Sequence, residues 1–328
     1  MIIGPVKISI YQVFLIIMDK IGVMNNNESF TAIQESVLWD IRMPRIILGL
    51  LVGLALGSAG AILQGLFRNP LVDPGFIGIS SGAAIGAMVA IMFSSLILSY
   101  TSDFLTPFIL PALAIIGAFI TTLLIYRMSK VSGKTNIMAM LLAGIAINAL
   151  AGSIIGLLVS ISSDSELRSF TFWTLGGLDN GSWKVSIISS IFILTSFLTI
   201  YKIRKKLDIF MLGDAEAYHL GLNVESLKKK IILIASIMVG ISVSFCGMIG
   251  FIGLVTPHII RLFIGPKHKY LIPGSALLGS ILLVLSDLIC KTVIAPAQLP
   301  IGVITSIIGA PFFIWLIFSQ KRRLGYSE

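Results

Sequence analysis

Charge is what this chain has least of. Asp, Glu, Lys and Arg make up 12% of its 328 residues, against roughly a quarter in ordinary globular proteins. Hydrophobic residues make up 56%, and the mean hydropathy is +0.99. Such a chain is not a soluble domain. Cysteine is nearly absent: Cys246 and Cys290 stand apart without a CxxC, so neither a disulfide framework nor a redox pair is supported. His219, His258 and His268 are scattered, with no metal-ligand spacing. Paired carboxylates and a Ser/His/Asp signature are both missing, which removes the usual acid–base and nucleophilic chemistry. No catalytic residue, metal or cofactor is expected. "SGKTN", Ser132 to Asn136, ends like a phosphate-binding loop, but the glycine needed five positions before Gly133 is Met128. That motif does not bind ATP.

What the chain has is apolar runs near the roughly 20 residues of a spanning helix, separated by short polar joints with Pro and Gly. The pattern predicts an all-α polytopic membrane bundle with nine spans, near 43–67, 75–98, 104–126, 136–160, 184–201, 231–249, 251–264, 271–290 and 301–319. No polar stretch is long enough for a second domain, so residues 1–328 form one. The seventh span is short and carries Pro257, as a broken helix would. With all nine crossing, 17 of the 24 basic residues, among them Arg68, Lys134 and Lys228, fall on one side. By the positive-inside rule that side is cytoplasmic, and so is the C-terminus. The net charge of +9 is then a topology signal, and a nucleic-acid partner is unnecessary.

Small residues recur at helical spacing: Gly49, Gly53, Gly57, Ala61 and Gly65; Gly78, Gly82 and Gly86; Gly144, Gly152 and Gly156. Such stripes let helix backbones approach closely in lipid. Asp287 is the one acid well inside a span, four residues before Lys291, the favourable order for a helical ion pair. An ion-coupled carrier usually keeps more ionisable groups at mid-membrane. The amphipathic segment "FMLGDAEAYHLGLNVESLKKK", Phe210 to Lys230, is too polar to cross and is a candidate for engaging a partner on the cytoplasmic side.

"WDIRMPRIILGLLVGLALGSAGAILQGLFRNPLVDPGFIGISSGAAIGA" (39–87), "MLGDAEAYHLGL", "GFIGLVTPHIIRL", "IPGSALLGS" and "LPIGVITSIIGAPFFIWL" follow in order along the chain. These blocks resemble the FecCD-type permeases, the transmembrane subunits of type II ABC importers for iron-siderophores, haem and vitamin B12. The resemblance implies a permease dimer with a second copy or a close paralogue, two ATP-binding subunits, and an extracellular or periplasmic substrate-binding protein. It implies a place in the cytoplasmic membrane and no ATPase activity of the chain's own. Iron-chelate cargo is expected, with a corrinoid as the alternative; an ion-coupled secondary transporter is the rival from another class.

The family's coupling helices match Leu212, Gly213, Asp214, Glu216, Ala217, Leu220 and Gly221, within a cytoplasmic loop spanning 202–230. Short apolar side chains dock, acids orient and glycines bend. Docking of the binding protein falls by match on Arg42, Arg45 and Lys291; read without the match, the two arginines are interfacial anchors. Lys134, Thr135 and Asn136 match a cytoplasmic gate, with ordinary loop chemistry as the alternative. The aromatics between Leu167 and Trp183 either meet cargo or sit in the interfacial belt. Relatives have ten spans, and here only Met1 to Ile3 precede the first matched block. The first helix is expected to be absent, and residues 1–41, with the apolar run Ile8 to Met18, form an external interfacial segment.

Overall fold

The computed structural model describes residues 6–23, 29–94, 105–295 and 297–323. It is almost wholly helical. Helix α1 (Ile10–Lys20) is opened by a capping box between Ser9 and Gln12. It buries Leu15 and Ile16 against Phe30 and Leu38 while Ile10, Tyr11 and Phe14 face outward. Next come α2 (Ala32–Ser36), a π-helical stretch (Val37–Arg42) and α3 (Met43–Leu66), which together form one unbroken helix from Ala32 to Leu66. The segment predicted to lie outside the span at 1–41 is therefore in part the first turns of that helix. The π-stretch inserts an extra residue per turn and turns Arg42 toward Val6, whose carbonyl accepts from its Nη2 at 2.7 Å.

Helix α3 is the hub. Of its most apolar stretch 78% is buried, packed by α8 (Trp183–Phe210), α10 (Val224–Cys246), α11 (Ile252–Ile264) and α12 (His268–Thr292). Glycines set these distances. A Cβ on Gly53 would stand 2.3 Å from Gly279 O and one on Gly57 2.2 Å from Ser275 O, so backbone meets backbone across α3 and α12. Gly60, outside the predicted stripe, touches α11 more closely still, 1.7 Å from Gly253 O. Helix α4 (Ile79–Met92) likewise packs on α5 (Thr106–Met128) through Gly82 and Gly86. The third predicted stripe behaves differently: Gly144 meets Phe76 O, but among the described residues nothing from another element comes within 4 Å of a Cβ placed on Gly152 or Gly156. They lie on α6 (Ile137–Ser160), of whose apolar stretch only 17% is buried.

Among the described residues six helices are long and apolar enough to cross a membrane: Ala32–Leu66, α5, α6, α8, α10 and α12. Two apolar helices among the described residues are shorter, α4 and α11, and α13 runs Ile301–Arg323. The predicted second span is divided into a 3₁₀ turn (Pro74–Ile77), a left-handed Gly78 (φ 76°) and α4; its last predicted residues, 95–98, lie outside the described residues. The predicted seventh span is a 13-residue helix preceded by irregular backbone at 247–251, where Phe251 has φ 68°. Thirteen residues rise about 20 Å, short of the roughly 30 Å hydrocarbon core. Irregular backbone at such depth is tolerated only where it is buried in protein or lines a cavity; Gly247 and Ile249 are buried and Gly250 is exposed.

Helices α8 and α10 also outrun their predicted ends. The loop expected over 202–230 reduces to residues 211–223, which hold α9 (Asp214–His219). Between α5 and α6 lies a two-stranded hairpin of β1 (Lys130–Val131) and β2 (Lys134–Thr135). Its turn residues, Ser132 (φ 50°) and Gly133 (φ 78°), both take positive φ, as a two-residue type I′ turn demands. The false phosphate motif is this turn. Short α7 (Asp164–Leu175) precedes the 176–182 loop that leads into α8.

Candidate functional site

The elements gather their polar side chains at two opposite ends of the bundle. At one end, α8 stops at Phe210 and the chain makes an elbow. Gly213 (φ 133°) and Gly221 (φ 79°) bracket α9, both in backbone regions that favour glycine. At Gly213 a Cβ would also strike the Glu216 carboxylate, 2.0 Å away. Ala217 is fully buried and seats the elbow on the bundle, while Leu212, Tyr218 and Leu220 are 63%, 72% and 62% exposed. The outward apolar surface is thus Leu212, Tyr218 and Leu220. Ala217, expected as a contact, lies behind it, because its small side chain fills the elbow's inner face. Asp214, Glu216 and Gly221 are exposed.

Asp214 holds the elbow in place. Its Oδ1 accepts from Arg68 Nη2 at 2.6 Å and its Oδ2 from Lys228 Nζ at 2.7 Å. Partial burial pushes the Asp214 carboxyl up; hydrogen bonds and charge from Lys228 and Arg68 outweigh that and hold it below the ordinary carboxylate range. Arg68 also donates to Phe210 O at 2.8 Å and stacks 4.3 Å from the centroid of the Phe210 ring, which clamps the end of α8.

Across an open concavity of 1280 Å³ stands the hairpin, and the two regions that the sequence assigned separately share this one space. Lys134 is exposed on β2. Thr135 is buried; its N–H donates to Glu225 Oε1 and its hydroxyl to Glu225 Oε2 at 2.8 Å. Asn136 is the N-cap of α6, its Oδ1 accepting the Ala139 N–H at 3.0 Å. In the sequence Arg68 and Lys228 stood out only as cytoplasmic-side charges, and Phe210 and Glu225 only as members of the Phe210 to Lys230 segment. Nothing local says which basic residue meets which acid, or that Arg68 stacks on the Phe210 ring.

At the other end the three residues matched to docking part company. Arg45 is not a free arm. It is buried, its Nη2 donating to Asp287 Oδ1 at 2.7 Å and to Gln298 Oε1 at 3.2 Å, and its Nη1 to Asp179 Oδ1 at 2.6 Å. Lys291, partly exposed, shares Asp287 with it through Oδ2 at 2.7 Å, the i,i+4 pair expected from spacing. Arg42 is held apart from both on Val6. Nearby, Phe170 stacks on Trp173 at 6.2 Å, Trp183 pairs with Trp39 at 5.1 Å while donating from Nε1 to its carbonyl, and Phe172 and Trp173 help line an open cavity of 300 Å³. Phe172 alone of the three on α7 is strongly exposed. Among the described residues no cluster of three His, Cys, Asp or Glu is placed to hold a metal ion.

The comparisons with known proteins agree with this anatomy. Residues 1–319 match the FecCD transport family. The chain is 42% identical to the hemin transport system permease protein HmuU of Yersinia pestis over 293 residues, 87% of this chain and 84% of that one. It is 35% identical over 289 residues to the cobalamin import system permease protein BtuC of Halobacterium salinarum, 88% of this chain and 75% of that one. A solved structure of an inward-facing metal-chelate type ABC transporter matches with a TM-score of 0.80 at 29% identity, covering 94% of this chain and 96% of that one. PsaBC from Streptococcus pneumoniae, at 18% identity and a TM-score of 0.55 over 86% of this chain and 92% of that one, shares the fold. A helical membrane chain with a fixed elbow at one end, matching this family over nearly its whole length, is a transport component and not an enzyme: it belongs to the FecCD transport family of ABC permeases.

Proposed function

We propose that this chain is the membrane permease of an importer for an iron-chelate, haem first, across the cytoplasmic membrane. Two copies, or one copy and a close paralogue, would frame the cargo path, with two ATP-binding subunits on the inner side and a substrate-binding protein on the outer. The observation that carries the reading is the elbow: a short helix pinned by Asp214 between Arg68 and Lys228, offering Leu212, Tyr218 and Leu220 to a partner. Pinning removes much of the ordering cost that docking would otherwise meet, and an apolar helix face laid in a groove is a recurrent mode of recognition. Haem is named on the 42% identity with a hemin permease. A corrinoid is the second reading, favoured by the cobalamin permease at 35%.

The orientation follows the positive-inside rule, with nine crossings if α13 spans and α4 and α11 complete theirs with irregular backbone. Arg42 and Lys291 present positive charge outward for acids of the binding protein, Arg45 sits beneath them, and lipid surrounds the remainder. Complementary charge of this kind steers encounter more than it adds affinity. Hairpin residues Lys134, Thr135 and Asn136 form the inner gate.

Reconstitution into proteoliposomes with the ATPase inside and the binding protein outside tests the proposal. Haem enters only with ATP, and Leu212→Asp or Leu220→Asp abolishes entry by preventing ATPase attachment. Cobalamin entering in place of haem selects the corrinoid reading. Uptake by the permease alone, driven by an ion gradient, overturns both in favour of a secondary carrier.

A further inference from the structure

One buried lysine joins the elbow to the hairpin. Lys228 lies near the start of α10 and is 4% exposed. Its ammonium donates in two directions: to Asp214 Oδ2 on α9 at 2.7 Å and to the backbone carbonyl of Thr135 on β2 at 2.9 Å. One turn earlier on α10, Glu225 takes the N–H and hydroxyl of the same threonine. Thr135 is therefore gripped from α10 at its carbonyl, amide and side chain, and α9 is gripped by the same ammonium.

A nearly buried ammonium at the wall of the concavity gives up its partners only at a cost, because an unpaired buried charge is strongly unfavourable. When α9 shifts, the low-cost response is for Asp214, Lys228 and Thr135 to move together. Thr135 is followed directly by Asn136, the N-cap of α6, so a displacement of the hairpin reaches the first turn of a helix of whose apolar stretch only 17% is buried among the described residues. We propose that Lys228 is a positioning residue that transmits movement of the elbow to the hairpin and thence to α6. The inference rests on the coupling role proposed above for α9 and names the strut inside the permease through which that coupling runs.

Lys228→Met tests it. Methionine keeps the length of the side chain and removes the charge. Asp214, being half-exposed, keeps Arg68 and water, so the elbow retains its seat. The reporter is the thiol introduced by Ser132→Cys at the exposed hairpin turn; the native Cys246 and Cys290 are buried. In the assembled complex of permease and ATPase, ATP is expected to change the maleimide reaction rate of that thiol several-fold. Lys228→Met is expected to abolish the change and raise ATP hydrolysed per cargo imported about tenfold, and Lys228→Arg, which keeps charge and donors, to restore most of both.

A Lys228→Met complex that keeps the nucleotide response and the wild-type ratio overturns the transmission role. So does one that loses its ATPase on purification, since the lysine then only seats α9 for docking. Failure of the underlying reading looks different: Leu212→Asp leaves the ATPase bound, and the wild-type complex shows no nucleotide response at all.

Discussion

Asp179 and Asp287 grip one guanidinium from unlike surroundings. The Asp287 side chain is 6% exposed and that of Asp179 66%. Removing one partner of a buried pair costs about 3–5 kcal/mol where nothing else meets the charge left behind, an upper bound here because Asp287 keeps Lys291, whereas an exposed pair contributes about 0–1 kcal/mol. Arg45→Ala is therefore expected to lower the unfolding midpoint of the detergent-solubilised protein strongly, and Asp179→Asn by little, in thermal melts followed by tryptophan fluorescence. Equal shifts would mean that Asp179, not Asp287, is the anchor. The sequence revealed only the short-range half of this cluster. Four residues on a helix are a pattern, so Asp287–Lys291 could be read; Arg45 and Asp287 are separated by 242 positions, and no spacing rule reaches that far. The same limit hid Lys228 and Glu225, which acquire partners only when α10 is laid against the hairpin.

Helices were legible to the extent that lipid imposes periodicity and length on them. Stripes of glycine on α3 and α4 predicted close backbone contact because in lipid little else lets helices approach. Helix ends were less legible: α8 and α10 continue through "KIRKKLDIF" and "VESLKKK", since lysine and arginine are good helix formers and hydropathy registers where apolarity stops, not where the hydrogen-bond ladder does. Gly60 and Gly152 separate packing from mere presence in a stripe. A Cβ at Gly60 would lie 1.7 Å from Gly253 O, a backbone atom that cannot swing away, while one at Gly152 meets nothing among the described residues of other elements. Gly60→Ala is expected to destabilise the permease by about 1–3 kcal/mol through forced separation of α3 and α11. Gly152→Ala is expected to leave the isolated chain unchanged or slightly firmer, as alanine is the better helix former. Parallel denaturation of the two variants decides the matter, and a neutral Gly60→Ala would show that α11 is not fixed against α3.

For the whole molecule, the distribution of charge and the packing of elements give the same two ends by independent routes. Counting basic residues in alternating loops placed Arg68, Lys134 and Lys228 on one side and Arg42, Arg45 and Lys291 on the other. Folding brings Arg68 and Lys228 onto a single aspartate and Arg45 and Lys291 onto another, with α3 running between the two clusters. An odd number of crossings between the 176–182 loop and the elbow is needed for this, and the long α8 supplies one. The orientation then becomes a direct experiment, because both ends carry exposed positions for single thiols, Lys130 on the hairpin and Asn180 in the 176–182 loop. A membrane-impermeant maleimide added to intact cells is expected to label Asn180→Cys and spare Lys130→Cys, and permeabilisation is expected to expose both. Labelling of the hairpin from outside would reverse the molecule, put the elbow beyond the reach of any ATP-driven partner, and remove the coupling role assigned to Leu212, Tyr218 and Leu220.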